Sequence, residues 1–276
     1  MNILILMAGR GNRFKTAGYN DPKSLINIDG KPMIEHVINM FSPKDTFTFV
    51  CDKTDIESTK MRGVLENIVK KPQIVIDKSK SKLGPVFSAR FAFKELSNSD
   101  PVIVCYCDFY EFWDYNNFKK TVRKVNCDAA VTAYKGFHPH LLGQNLYASM
   151  LVNREGFMIE CREKYSFTKN KVDCFHQSGK FYFKSGLLLK NYFSEVIRNK
   201  LTVNNEYYVS VVTQLMKEAG LSIFVYPVKY FLQWGTPEDL AEYTFWLSNF
   251  KSGLSINQIK DKRIFDYWKS FFKESV

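Results

Sequence analysis

Residues 4–38 read LILMAGRGNRFKTAGYNDPKSLINIDGKPMIEHVI. A short apolar run ends in Gly9-Arg10-Gly11-Asn12-Arg13, a Pro22-Lys23 pair follows, and a new amphipathic stretch begins at Pro32. The first run has the composition of a buried strand. The last has helical spacing, with Met33, Val37, Ile38 and Phe41 on one side. Strand, small-residue loop and helix is how an α/β sheet opens. Glycines at 9 and 11 admit backbone angles that other residues resist, and they let amide N–H groups approach an anion closely. Arg13 and Lys23 add permanent charge: a guanidinium grips two phosphate oxygens at once, while an ammonium acts as a point charge. An ordinary tight turn beneath a basic surface has the same look, so the rest of the chain must discriminate.

Working outward, "TFTFVC" (46–51), "QIVI" (73–76) and "PVIVCYC" (101–107) read as strands, and residues 55–71 and 86–96 as helices. This βα alternation to residue 107 predicts a doubly wound parallel sheet with helices on both faces. Ligands of such sheets sit beyond the carboxyl ends of the strands. The glycine loop and Asp108 both fall there. The second half differs: strand-like runs at 127–134, 145–153, 156–164, 180–186 and 221–231 are joined by turns and interrupted by a helix over 206–220. A mixed central sheet follows, with residues 1–110 as a nucleotide-binding half and 111–250 as an acceptor-shaping half of one domain. "GTPEDL" (235–240) carries a helix start, with Thr236 as cap, Pro237 in the first turn, and Glu238 and Asp239 near the positive helix end. Residues 251–276 read as a short helical C-terminal extension.

Composition narrows the function classes. With 276 residues, 45% apolar and 24% charged, the chain suits a globular protein with a sizeable core. The net charge of +11 suits polyanionic partners such as nucleoside triphosphates. The lysines are scattered, with no basic tail or repeat, which argues against a dedicated nucleic-acid binder. No stretch reaches the length of a membrane span. The six cysteines show neither CxxC pairing nor zinc-finger spacing, and a reducing cytoplasm is the expected location.

The run AGRGNRF, then PKSL, then GKPMI resembles the signature of the sugar-phosphate nucleotidylyltransferases, in particular the capsule and lipopolysaccharide branch of these NTP transferases. The likeness is dense over residues 3–38 and continues as islands to 235–240. It implies a Rossmann-like nucleotidyltransferase fold, a nucleoside triphosphate and a phosphorylated small-molecule acceptor as substrates, and Mg²⁺ as cofactor. By resemblance, Ala8, Gly9 and Gly11 would cradle the triphosphate. Arg13 would steady the departing pyrophosphate, and Lys23 would bridge phosphates of both substrates. Asp108 falls where the family places a magnesium-binding aspartate; a helix or turn cap is its alternative. Lys164, in "CREKY", would contact the acceptor phosphate, although a surface lysine reads the same way. Gly84 would approach the nucleobase, with a plain turn as its rival. Glu206 is a candidate for acceptor hydroxyls or simply the opening acid of a helix.

One position departs from the pattern. Where relatives commonly carry a second metal-binding aspartate, two residues before the glycine of GTPED, this chain has Gln233, and Asp239 is read as belonging to the helix start. The expected product is an NDP-sugar, made for surface polysaccharide. The alternative is a CTP-dependent cytidylyltransferase acting on a phosphocholine- or phosphoglutamine-like phosphomonoester. Phe109, Tyr110, Phe112 and Trp113 after Asp108 face such a head group, stack on a sugar ring or fill core. A glycosyltransferase would show Asp-x-Asp where this chain has Asp108-Phe109-Tyr110, and Gln233 leaves room for a non-catalytic nucleotide binder. The aromatic C-terminal run "IFDYWKSFF" (264–272) is either a homo-oligomer interface or a lid on the core.

Overall fold

The computed structural model describes residues 1–253 and 261–275. The first half runs β1 (Asn2–Met7), α1 (Asn12–Thr16), β2 (Asn27–Ile28), β3 (Lys31–Pro32), α2 (Met33–Ile38), β4 (Thr46–Asp52), α3 (Lys53–Ser58), α4 (Met61–Ile68), β5 (Gln73–Asp77), α5 (Pro85–Ala89) and β6 (Val102–Tyr106). The second runs β7 (Phe109–Phe112), α6 (Tyr115–Val125), β8 (Ala129–Tyr134), β9 (Ser149–Val152), β10 (Met158–Arg162), β11 (Phe175–Phe183), α7 (Gly186–Arg198), α8 (Val209–Glu218), β12 (Ile223–Pro227), β13 (Tyr230–Gln233), α9 (Pro237–Ser252) and α10 (Lys262–Ser275).

Strands β5, β4, β1 and β6 lie side by side and parallel. Next comes β11, antiparallel to β6, then β8 and β12. This is the mixed central sheet the sequence predicts. Alternation along β1 shows why it is buried: Ile3, Ile5 and Met7 enter the core on one face, and Leu4, Leu6 and Ala8 on the other. Only the first residues of β11, Phe175 and His176, pair with β9, so the β9–β10 hairpin stands past the carboxyl end of β6. A separate ribbon, β7 with β13, leaves the sheet directly after Asp108.

Several elements differ from their sequence reading. The helix expected over 55–71 is two, because Thr59 is extended between α3 and α4. The helix expected over 86–96 is a turn and a half, continued by a tighter turn over 90–92. Helices α6 and α7 were not anticipated, though each has a local cap: Asp114 accepts from the Asn117 N–H, and Ser185 from the Leu188 N–H. Strand β11 begins five residues early, because His176, Gln177 and Ser178 are polar yet buried. Of the aromatics after Asp108, Trp113 packs with Phe41, Tyr115 and Phe118, and Tyr110 stacks on Trp234. These fill core.

A third cluster joins the two ends of the chain. Phe14 from α1, Met33 from α2 and Trp234 after β13 pack with Tyr243 and Trp246 of α9 and with Trp268, Phe271 and Phe272 of α10. The Trp268 indole also donates to Glu242 at 3.0 Å. Helix α10 of the extension is therefore part of the core, its Trp268, Phe271 and Phe272 buried against the rest of the chain, while residues 254–260 lie outside the described residues.

One buried charge pair ties the ribbon to the sheet. Lys180 of β11 sits 3.5 Å from Glu111 of β7, both essentially without solvent. Thr132 donates to the same Glu111 oxygen at 2.6 Å, and the other oxygen has no partner. Burial pushes the Glu111 carboxyl up despite the lysine. Replacing only Lys180 strands a buried carboxylate, so Lys180→Met is expected to cost about 3–5 kcal/mol, and the double change Lys180→Met/Glu111→Leu to recover most of it. Urea unfolding of the three proteins checks this.

Candidate active site

A cavity of about 480 Å³ opens where β1 and β6 end, floored by Leu6–Gly9 and Tyr106–Phe109. It is lined by Ala8, Gly9, Arg13, Lys23, Gly84, Asp108, Lys164 and Glu206. Eight of the nine residues singled out from sequence thus converge on one hollow. The ninth, Gly11, is set behind: it starts α1 at φ +62°, with Lys23 against it, 3.7 Å from where a Cβ would be. Its role here is to turn the chain beside Lys23.

Lys23 and Asp108 form the centre. Lys23 Nζ donates to Asp108 Oδ2 at 2.6 Å, and the side chains are 20% and 12% exposed. Burial by itself lowers the ammonium's pKa, but the surrounding groups, Asp108 foremost, together outweigh it and hold Lys23 above its usual value. The Asp108 backbone is fixed by the Trp234 N–H, which donates to its carbonyl at 2.9 Å. Gly235 follows at once. A Cβ there would stand 3.3 Å from Asp108 Oδ2 and 3.8 Å from Asp239 Oδ2, so two carboxylates face one small residue.

Asp239 corrects the sequence reading that left it at its helix start. Its carboxylate does close a capping box with Thr236, accepting from the Thr236 N–H at 3.0 Å, yet it also lines the cavity. Gln233 Nε2 donates to Asp239 Oδ1 at 2.6 Å, and Gln233 Oε1 accepts from the Tyr147 hydroxyl. Both ends of the Gln233 amide are therefore engaged in positioning. Burial raises the Asp239 pKa, and the Asp108 charge adds to it. Nothing in TPED marked this second use, because the helix-cap pattern accounts for the same residues.

The loop before α5 carries the other wall. Gly84 has φ +98°, and a Cβ on it would meet the Tyr207 backbone at 2.7 and 2.9 Å. Tyr207 N–H donates to Leu83 O, and Val86 N–H to Tyr207 O, so residues 83–86 and 206–207 are pinned together. Glu206 consequently sits against Gly84, at the corner assigned from sequence to the nucleobase. Tyr208 donates to its Oε2 at 2.5 Å. Lys82, unnoticed in the sequence, anchors this loop to the strand ends, 3.0 Å from Asp52 and 3.4 Å from Asp77. Lys164 follows β10 at φ +52°, its ammonium 5.7 Å from the Tyr208 ring centre. Its neighbour Glu163 also lines the cavity; burial raises its pKa, and Ser210 donates to it.

The donor set suits a hard cation. Among the described residues no group of three or more His, Cys, Asp and Glu converges as a metal cage. Asp108 offers a carboxylate on an open cavity, and Gly235 leaves the space beside its Oδ2 that a side chain would fill. Magnesium characteristically binds this way, through one or two carboxylates, with water and phosphate oxygens for the rest.

Comparison with known proteins agrees with this architecture. A crystal structure of a nucleoside-diphosphate-sugar pyrophosphorylase from Vibrio cholerae RC9 superposes with a TM-score of 0.71 at 15% identity, covering 89% of this chain and all of that one. An inositol-1-phosphate CTP transferase from T. maritima gives 0.66 at 15% identity, covering 92% and 97%. In sequence, a Sulfolobus acidocaldarius protein named as a candidate mannose-1-phosphate guanyltransferase is 26% identical over 196 residues, 69% of this chain. The chain spans about half the length of that relative. The MobA-like NTP transferase domain matches residues 3–158, which include the glycine loop, Lys23, Gly84 and Asp108. With more than half its length inside that match, the chain belongs to the family of MobA-like NTP transferase domains.

Proposed function

We propose that this protein is a nucleotidylyltransferase that condenses a nucleoside triphosphate with a sugar 1-phosphate, releasing pyrophosphate and an NDP-sugar for surface polysaccharide. The observation that carries the reading is the convergence of Arg13, Lys23 and Asp108 on one cavity at the strand ends. An acceptor phosphate oxygen, ionised at neutral pH, attacks the α-phosphorus in line. The new P–O bond forms as the bond to pyrophosphate breaks, and no general base is required. The chain supplies alignment and charge. Gly9 and the β1 end admit the triphosphate, Arg13 meets the leaving pyrophosphate, Lys23 reaches phosphates of both substrates, and Lys164 holds the acceptor phosphate. Asp108 would hold magnesium, which when bound neutralises phosphate charge.

A second acceptor class is favoured by the cavity's own lining. Tyr106, Phe109, Tyr147 and Tyr208 share it with Glu163 and Glu206, and among the described residues neither glutamate has a lysine or arginine partner. Aromatic faces and free carboxylates also suit a cationic phosphomonoester with CTP as donor.

Arg13→Ala and Asp108→Asn are each expected to lower turnover about 10²–10³-fold, by analogy with loss of one anion-stabilising group. Circular dichroism should show both folded. Near-normal turnover in either variant removes that residue from the mechanism. Gly235→Ala places a methyl against Asp108 Oδ2 and is expected to cut kcat/KM about tenfold, equivalent to about 1.4 kcal/mol. A pyrophosphate-release screen of four triphosphates against phosphorylated sugars, polyols and amino alcohols identifies the pair; silence across the whole panel overturns the assignment.

A further inference from the structure

The 2.6 Å contact between Lys23 and Asp108 sets a cation and a proposed cation-holding group on each other. They lie on separate elements, Lys23 in the short turn after Pro22 and Asp108 at the end of β6. Each is held independently. The Asp108 backbone is fixed by the Trp234 N–H, while Lys23 packs against Gly11. Lys23 makes no other ion pair among the described residues, so Asp108 is its partner while the cavity lacks a polyanion. A divalent ion bound to this carboxylate would share it with an ammonium already in hydrogen-bonding contact with Oδ2. Two positive centres on one carboxylate repel, and the ammonium already offsets the Asp108 charge that would attract a metal.

We propose that Lys23 is a built-in block on the Asp108 cation site, released when a polyphosphate takes the ammonium. This deepens the proposed function and rests on its assignment of Asp108 to a divalent ion. A bound triphosphate offers Lys23 a more highly charged partner, and Lys23 needs only to swing its flexible stem toward it. Asp108 then regains its full charge beside the same phosphates. Metal and nucleotide therefore bind cooperatively, each improving the site for the other by the same factor. The empty protein discriminates against free divalent ions, and the cation arrives with or after its nucleotide. Arg13, exposed and without a carboxylate partner among the described residues, meets the triphosphate without first breaking a bond.

The test uses Mn²⁺ alone, with no nucleotide, counting free ion by electron paramagnetic resonance. Lys23→Met is expected to bind Mn²⁺ about tenfold more tightly than the unaltered protein, within the usual range of coupling between sites. Lys23→Gln repeats the measurement with a polar side chain should the methionine variant fold poorly. Lys23→Arg, which keeps the charge, should stay as weak as the original. Adding Asp108→Asn to Lys23→Met should abolish the gain. If Lys23→Met and Lys23→Gln bind Mn²⁺ no better than the unaltered protein while Asp108→Asn still weakens binding, the block is wrong and the cation site stands. If Asp108→Asn changes nothing in any background, the cation assignment itself fails, and the block with it.

Discussion

The site depends on one backbone hydrogen bond, from the Trp234 N–H to the Asp108 carbonyl at 2.9 Å. Asp108 follows β6 of the first half, and Trp234 follows β13 of the second. Without that bond the two segments would be neighbours only through the β7–β13 ribbon. With it, Asp108, Gly235 and Asp239 share one small volume, and Lys23 closes the remaining side. The strength of a single such bond is modest, about 0.5–1.5 kcal/mol net. Its position matters more, because the ladder of β7 with β13 and the Lys180–Glu111 pair hold the same ribbon from behind.

Charge in the cavity is arranged in pairs and singles. Lys23 and Lys82 each have carboxylate partners, and those bonds shape the cavity wall. Hydrogen bonds from Ser79 and Ser88, with the Lys82 charge, outweigh the burial of Asp77 and hold its carboxyl below the usual range. That pairing braces the 78–84 loop against the strands. Arg13, Lys164, Glu163 and Glu206 form no ion pair within 4.0 Å among the described residues.

Much of this was legible in the sequence, for identifiable reasons. The apolar runs of β1, β4 and β6 are buried on both faces, so composition alone marked them. Strand ends followed from those runs, and with them the positions of Gly9 and Asp108. Less legible were residues whose local and tertiary uses coincide. Asp239 satisfies a helix cap and faces the cavity, and a cap motif explains it completely at the level of sequence. Glu206 opens no helix. It follows Asn204 and Asn205, both left-handed, in a tight turn pressed on Gly84 by long-range backbone bonds that no local pattern encodes. Gly84 lines the cavity, and its conformation and crowding come from the Tyr207 backbone, which is reason enough for glycine there. The polar start of β11 hid a strand because its partners, such as Ala148 and Met150, lie far along the chain.

The aromatic cluster that unites Phe14 with Trp268 and Phe272 has a mechanical consequence. Phe14 immediately follows Arg13, so the hinge from which that guanidinium reaches is bolted to the last helix of the protein. Loosening of α10 would reach the glycine loop through this cluster. Helix α10 is thus a keel: outside the strand-end cavity, it backs the segment that carries the opening loop.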